Sequence, residues 1–182
     1  MNHIQTSAAF ASLVAIMAVQ PAHAAPLYVA GHVGQTTNVG VSGINLSDGP
    51  AYGGAIGTAV GPVRVEAGVD RLSANFAGVL QAHALVYSAS AFLDLPVGAR
   101  ASVFGGGGVD SISASADSPY GSGLSASGYG YHFGGGAAYR LNDSVIIEAQ
   151  WRRLKSSNLS IYGSNVDLTA DTVTVGARLS LA

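Results

Sequence analysis

Beyond the first two dozen residues, the side chains able to do acid–base chemistry near neutral pH are His32, His83 and His132, set among many serines. A hydrolytic site would need one imidazole to activate a serine hydroxyl and a carboxylate to orient the ring. No G-x-S-x-G elbow is present, and the histidines lack the spacing of a helical metal motif. There is no cysteine, which removes thiolate metal sites, thiol nucleophiles, disulfide staples and the lipid-bearing residue of a lipoprotein. Glu66 and Glu148 suggest a paired-carboxylate site, but arginines in the same strand phase favour a structural role. The runs Gly105–Gly108 and Gly134–Gly136 are not phosphate loops, because no Lys-Ser/Thr follows and no helix begins there. The chain is therefore read as non-enzymatic, with no cofactor and no metal.

The remaining charges follow a period of two, the alternation of a strand. Val63, Val65, Ala67 and Val69 oppose Arg64, Glu66, Gly68 and Asp70. Val145, Ile147, Ala149 and Trp151 oppose Ile146, Glu148, Gln150 and Arg152. Val173, Val175, Ala177, Leu179 and Leu181 oppose Thr172, Thr174, Gly176, Arg178 and Ser180. On the polar phase, Arg64, Arg100, Arg140, Arg152 and Arg178 balance Glu66, Asp70, Asp94, Asp110 and Glu148. Lys155 is the only lysine, whereas a water-facing sheet uses more of them. The planar fork of arginine suits enclosed pairing with carboxylates. An unpaired enclosed charge costs several kcal/mol, so an enclosed interior demands such a balance. Interior ion pairs are expected from Arg64, Glu66, Asp70, Arg100, Glu148, Arg152 and Arg178, with Glu66, Arg100, Glu148 and Arg178 forming one network. The two glycine runs should lie at similar depth and leave a thin wall that admits a bulky side chain such as Phe104 or an arginine.

Eight strands are predicted to carry these positions: Leu27–Gly34, Ala51–Val60, Val63–Ser73, Val79–Leu95, Ala99–Ile112, Gly128–Arg140, Ser144–Leu154 and Val166–Leu181. Their connections alternate. Gln35–Pro50, Ala74–Gly78, Ser113–Ser127 and Lys155–Asn165 are medium or long, read as solvated loops. Gly61-Pro62, Pro96–Gly98 and Leu141–Asp143 are tight. Such sorting is the pattern of an antiparallel up-and-down transmembrane β-barrel, tight turns on the periplasmic side. Charged residues are only 10% of the chain, well below the ~25% of soluble domains. No run of ~20 apolar residues offers a helical span after the N-terminus. The apolar strand faces are then lipid-facing, Tyr139 and Trp151 among them.

The first segment reads as a secretory signal peptide (residues 1–24). Ala8–Val19 is its apolar core, and Ala22-His23-Ala24 its cleavage motif, with cleavage between Ala24 and Ala25. Residues 25–182 then form one domain. A net charge of −2 and the lack of a basic stripe exclude a nucleic-acid partner.

The chain resembles the small outer-membrane β-barrel family, that is, the OmpA-like transmembrane domain and its opacity- and porin-like relatives. The resemblance covers Ala25–Ala182 and is most specific at Gly134–Arg153, GGGAAYRLNDSVIIEAQWRR. It implies a periplasmic turn there, a lumenal Glu148, a lipid-facing Trp151, and interior pairs among Glu66, Arg100, Glu148 and Arg178. It further implies outer-membrane lipid and the outer-membrane assembly machinery as partners. Outer-membrane lipid A deacylases are of similar size, but their H-x-S pair is absent: His132-Phe133-Gly134 does not match it. The chain also departs from the family in ending Leu179-Ser180-Leu181-Ala182, without the terminal aromatic residue that the machinery reads. The expected role is that of an envelope structural protein or presenter of surface loops, with a side-chain-filled lumen. The alternatives are an adhesin binding a surface ligand through the long loops, or a narrow gated channel.

Overall fold

The computed structural model describes residues 27–41, 44–76, 80–117, 124–161 and 164–181. The expected signal segment and its Ala24–Ala25 junction lie outside the described residues. The strands are β1 (Leu27–Val41), β2 (Ile44–Leu46), β3 (Gly49–Val60), β4 (Val63–Phe76), β5 (Leu80–Pro96), β6 (Ala101–Asp117), β7 (Leu124–Arg140), β8 (Val145–Ile161) and β9 (Ser164–Leu181). All neighbours are antiparallel, and β1 pairs with both β3 and β9, so the sheet closes on itself. Eight long strands form the barrel; β2 is a three-residue flap paired to β1 alone.

The tight turns follow from their residues. Gly61 has φ +60°, a left-handed value that glycine adopts without steric cost. The next residue, Pro62, has its φ fixed near −65° by its ring. This order, positive then negative, suits a II′ hairpin. At the third tight turn, Asn142 Oδ1 accepts hydrogen bonds from the Ser144 and Val145 amides, both at 2.9 Å. That side chain closes the turn in place of backbone.

The long connections require correction. Most of their residues are strand, not loop. β6 runs to Asp117 and β7 begins at Leu124, with Ser113↔Ser127, Ala114↔Ala126 and Ser115↔Ser125 paired. The Ser/Ala alternation that looked like a solvated loop is a period-two strand with a polar outer face. Likewise β1 reaches Val41 and β8 reaches Ile161.

The outer face shows where lipid ends. Each wall is apolar or glycine from the tight-turn end upward, with Thr58 the one polar residue. Further up each strand it turns polar or charged, first at Gln35, Arg71, His83, Ser111, Ser127, Arg153 and Asp171. The boundary is uneven, since Arg153 lies opposite Phe133, below Ser127 on β7. On β9 the apolar stretch is Val173–Leu181. At ~3.3 Å rise and ~40° tilt this is roughly the 25 Å apolar height of an outer-membrane barrel. Tyr139 and Trp151 are both exposed on this outer face. Above it the ladders become irregular, with register shifts at Thr37/Gly40, Ser127/Tyr131 and Ser156/Leu159.

Candidate functional site

The lumen is the place where functional side chains converge, and it is filled in three tiers. The lowest, nearest the tight turns, is ionic. Arg64 on β4 pairs with Glu66 and, through Nε at 3.2 Å, with Asp94. Asp94 Oδ2 also lies 3.4 Å from Arg178 Nη1. Arg178 Nε stands 3.0 Å from Glu148 Oε2, an ion-pair distance without hydrogen-bond alignment. Tyr28 Oη donates to Glu66 Oε1 at 2.6 Å. The Arg64 guanidinium lies 4.5 Å from the Phe92 ring centre and 4.8 Å from that of Phe104. Its Nη2 has no hydrogen-bond partner; the ring faces supply compensation through cation–π attraction. Arg64 is 1% exposed.

The middle tier is built on two histidines. Asp70 Oδ1 lies 2.5 Å from His32 Nε2, and Asp70 Oδ2 accepts from Arg152 Nη2 at 2.6 Å. Across the lumen, Asp110 Oδ1 lies 2.8 Å from His132 Nδ1, and His132 Nε2 lies 3.1 Å from Ser90 Oγ. A carboxylate oxygen only accepts, so Nδ1 donates to Asp110, and Nε2 makes the contact with the Ser90 hydroxyl.

The upper tier is apolar. Leu72, Val86, Ile112, Leu154 and Leu159 are buried together with Ala51 inside the barrel. Val39, Ala74 and Ala170 form a second cluster.

Glycines on the inner face make room for this filling. A Cβ at Gly108 would lie 2.7 Å from His132 Cε1, and one at Gly136 would lie 2.7 Å from Phe104 Cζ. The two glycine runs are paired, Gly105↔Gly135 and Gly106↔Gly134. The thin wall expected for Phe104 is therefore present, and it also houses Phe92 and His132.

The structure brings Arg64, Glu66, Glu148 and Arg178 into one network and places Asp70 with Arg152 in the tier above. It does not place Arg100 there. Arg100 is exposed in the turn before β6, where its carbonyl accepts from the Arg140 amide at 2.8 Å. Arg140 is exposed as well. The inward phase continues past the lipid boundary, and at the periplasmic rim an inward position meets water. The arginine–carboxylate balance on that phase therefore overcounted interior cations. Asp94, which was not assigned to the network, completes it by linking Arg64 to Arg178. Histidine and tyrosine also meet the enclosed carboxylates: His32 at Asp70, His132 at Asp110 and Tyr28 at Glu66.

Sequence reasoning missed the Ser90–His132–Asp110 set. The three residues lie on different strands, β5, β7 and β6, and only register aligns them. Their one signal was a shared inward phase. The geometry is that of a hydrolase relay, but the surroundings are not. Ser90, His132 and Asp110 are 7%, 2% and 3% exposed. Phe92 and Phe104 lie below, Val86 and Ile112 above. Their mutual contacts satisfy polar groups that the lumen buries.

Among solved structures, the chain is similar to Neisserial surface protein A, with TM-score 0.75 and 17% identity over 85% of this chain and 97% of that one. It is similar to OprG of Pseudomonas aeruginosa, with TM-score 0.56 and 11% identity over 86% and 96%. It is also similar to Ail, the attachment invasion locus protein of Yersinia pestis, solved with the heparin analogue sucrose octasulfate. Here the TM-score is 0.53 and the identity 16% over 85% and 97%. At these identities the likeness is one of fold. No curated protein matches the chain. The profile of the outer membrane protein beta-barrel domain matches residues 6–180, so the chain belongs to that family of outer-membrane proteins.

Proposed function

We propose that this protein is a non-enzymatic envelope component with a sealed lumen, whose working surface is the set of hairpins projecting beyond the lipid. The observation that carries this reading is the three-tier filling. Eight strands leave an interior about wide enough for side chains, and here Arg64 in the ionic tier, His132 in the middle tier and Ile112 and Leu154 in the apolar tier are all buried in it. A diffusing solute would have to displace an ion network, two histidine clusters and an apolar plug. Purified folded protein in a planar bilayer should give no discrete conductance steps; reproducible steps would overturn the reading.

A second reading, adhesion, is favoured by one observation: β6 and β7 continue as a paired hairpin well past the lipid boundary. Paired strands that leave the lipid present their outer residues to the medium. Replacing residues 118–123 with a short Gly/Ser turn tests it. Loss of binding to host cells or glycans, with barrel folding intact, is the adhesin outcome; unchanged binding removes it. Assembly by the outer-membrane machinery and contact with outer-membrane lipid belong to the same proposal.

A further inference from the structure

The outward face carries its charges unevenly. The lowest outward positions are Leu27, Val60, Val63, Leu95, Ala101, Val145 and Leu181, all uncharged. The upper boundary carries Arg71, Arg153 and Lys155, the outward-phase cations among the described residues. Arg153 and Lys155 are two apart on β8, so their side chains share a face, about 7 Å apart along the strand.

Arg153 is held in place. Its Nε and Nη2 donate to Asp171 Oδ1 and Oδ2, both at 2.6 Å. Asp171 accepts also from Asn38 Nδ2 at 3.2 Å. The guanidinium lies 5.7 Å from the Trp151 ring centre, and Trp151 meets Phe133 edge-on at 6.0 Å. Nη1 takes no part in the fork. Lys155, opposite Tyr131 on β7 and Thr169 on β9, is in no ion pair among the described residues. Asp167, the other outward carboxylate on β9, is exposed further from the lipid and forms no ion pair with Lys155. From the membrane upward the patch therefore reads aromatic, fixed cation, free cation.

We infer that this patch on β7–β9 seats the phosphorylated sugar headgroup of an outer-leaflet lipid. A phosphate at this height meets Lys155 and the free Nη1 of Arg153 through charge-assisted hydrogen bonds. The sugar lies on the Tyr131 and Trp151 rings, and the acyl chains continue down the apolar wall. Asp171 does not repel it, because its carboxylate is occupied and 3% exposed. The inference rests on the outer-membrane placement of the barrel and not on the sealed lumen, so a conducting barrel would leave it standing.

Trp151 is the sole tryptophan, so its emission reports directly on the patch. The full folded protein in neutral detergent is titrated with bisphosphorylated lipid A. Saturable change in Trp151 emission is expected, with dephosphorylated lipid A giving none. Lys155→Gln should raise the half-saturation concentration about tenfold, the loss of roughly 1.4 kcal/mol of contact. Lys155→Arg should restore it, and Arg71→Gln, on the opposite wall, should leave it unchanged. A heat-dependent gel shift confirms that each variant is folded. Equal titrations for wild type and Lys155→Gln would overturn the proposal. Equal loss in Arg71→Gln would reduce it to a general charge effect, which also overturns it. If inorganic phosphate alone produces the change, the site takes free phosphate and the lipid assignment fails.

Discussion

The two halves of the lumen are filled by opposite chemistry on the same strands. On β4 the inward residues run Arg64, Glu66, Gly68, Asp70, then Leu72 and Ala74. On β8 they run Ile146, Glu148, Gln150, Arg152, then Leu154. The polar part lies behind the lipid-facing wall, and the apolar part begins near the height where the wall meets water. Within the lipid, the outer face already supplies apolar surface, and a polar interior distinguishes inside from outside. A strand flipped by one residue would turn Arg64, Glu66 and Asp70 toward hydrocarbon, a placement whose cost rises with depth to about 2–4 kcal/mol for an arginine at the midplane and is less for a carboxylate. Above the lipid, both sides of the wall are wet without a plug, and the ordinary soluble rule returns: apolar in, polar out. The inward phase thus changes chemistry without changing direction.

If the ionic tier is a closed network, removing its centre leaves charges stranded. Arg64→Ala removes the guanidinium from Glu66, Asp94 and both phenylalanine faces. We expect a loss of about 3–5 kcal/mol, the usual cost of breaking a buried pair. The measurement is the urea midpoint of the barrel in vesicles, followed by the heat-dependent gel shift. A change under about 1 kcal/mol, within the range of exposed pairs, would show that water solvates these charges individually.

The apolar tier should respond less. Leu154→Ala creates a cavity among Leu72, Val86 and Ile112, and such truncations cost about 2–5 kcal/mol. We expect the lower part of that range, because the surrounding register is already irregular at Ser156/Leu159 and the wall can relax inward. The same urea experiment checks it. A loss equal to that of Arg64→Ala would mean that the two tiers are equally rigid and would erase the contrast.

The barrel, its strand number and the sides of its turns were legible because each leaves a periodic mark: alternation, Gly61-Pro62, Asn142. Strand ends were less so. Ser113–Ser127 has turn-forming composition yet alternates, and composition outweighed phase in reading it as loop. In the lumen, phase identified which residues point inward but not at what height. Arg100 and Glu66 share a phase but differ by several residues in depth, and depth depends on register and shear. The Ser90–His132–Asp110 set was invisible for the same reason. Asp94 lay on a weakly alternating strand, so its central place between two arginines carried no local signal.

The glycine wall gives a smaller, steric probe of the lower tiers. Gly136→Ala places a methyl against Phe104 Cζ and the neighbouring strand's carbonyl. Phe104 then has to leave the face of Arg64. Overpacking of this kind costs about 1–3 kcal/mol, and the effect should shrink in a Phe104→Leu background. Equal losses in both backgrounds would place the strain in the sheet instead of the ring.

The smallest effect expected is the most informative about why charges are there at all. Arg178→Met alone strands Glu148 and should lower the midpoint markedly. Arg178→Met with Glu148→Leu removes one charge of each sign and leaves Arg64 with Glu66 and Asp94, so the net charge of the tier is unchanged. Buried pairs replaced by apolar residues of similar size are often neutral or stabilising. We expect the double variant to unfold within about 1 kcal/mol of wild type in vesicles. Its cost should appear instead in assembly, as slower folding into bilayers and a larger unfolded fraction on the gel, because strands β8 and β9 lose part of the polar mark that separates lumen from lipid. A double variant that folds as fast as wild type would show that the ions contribute neither net stability nor direction.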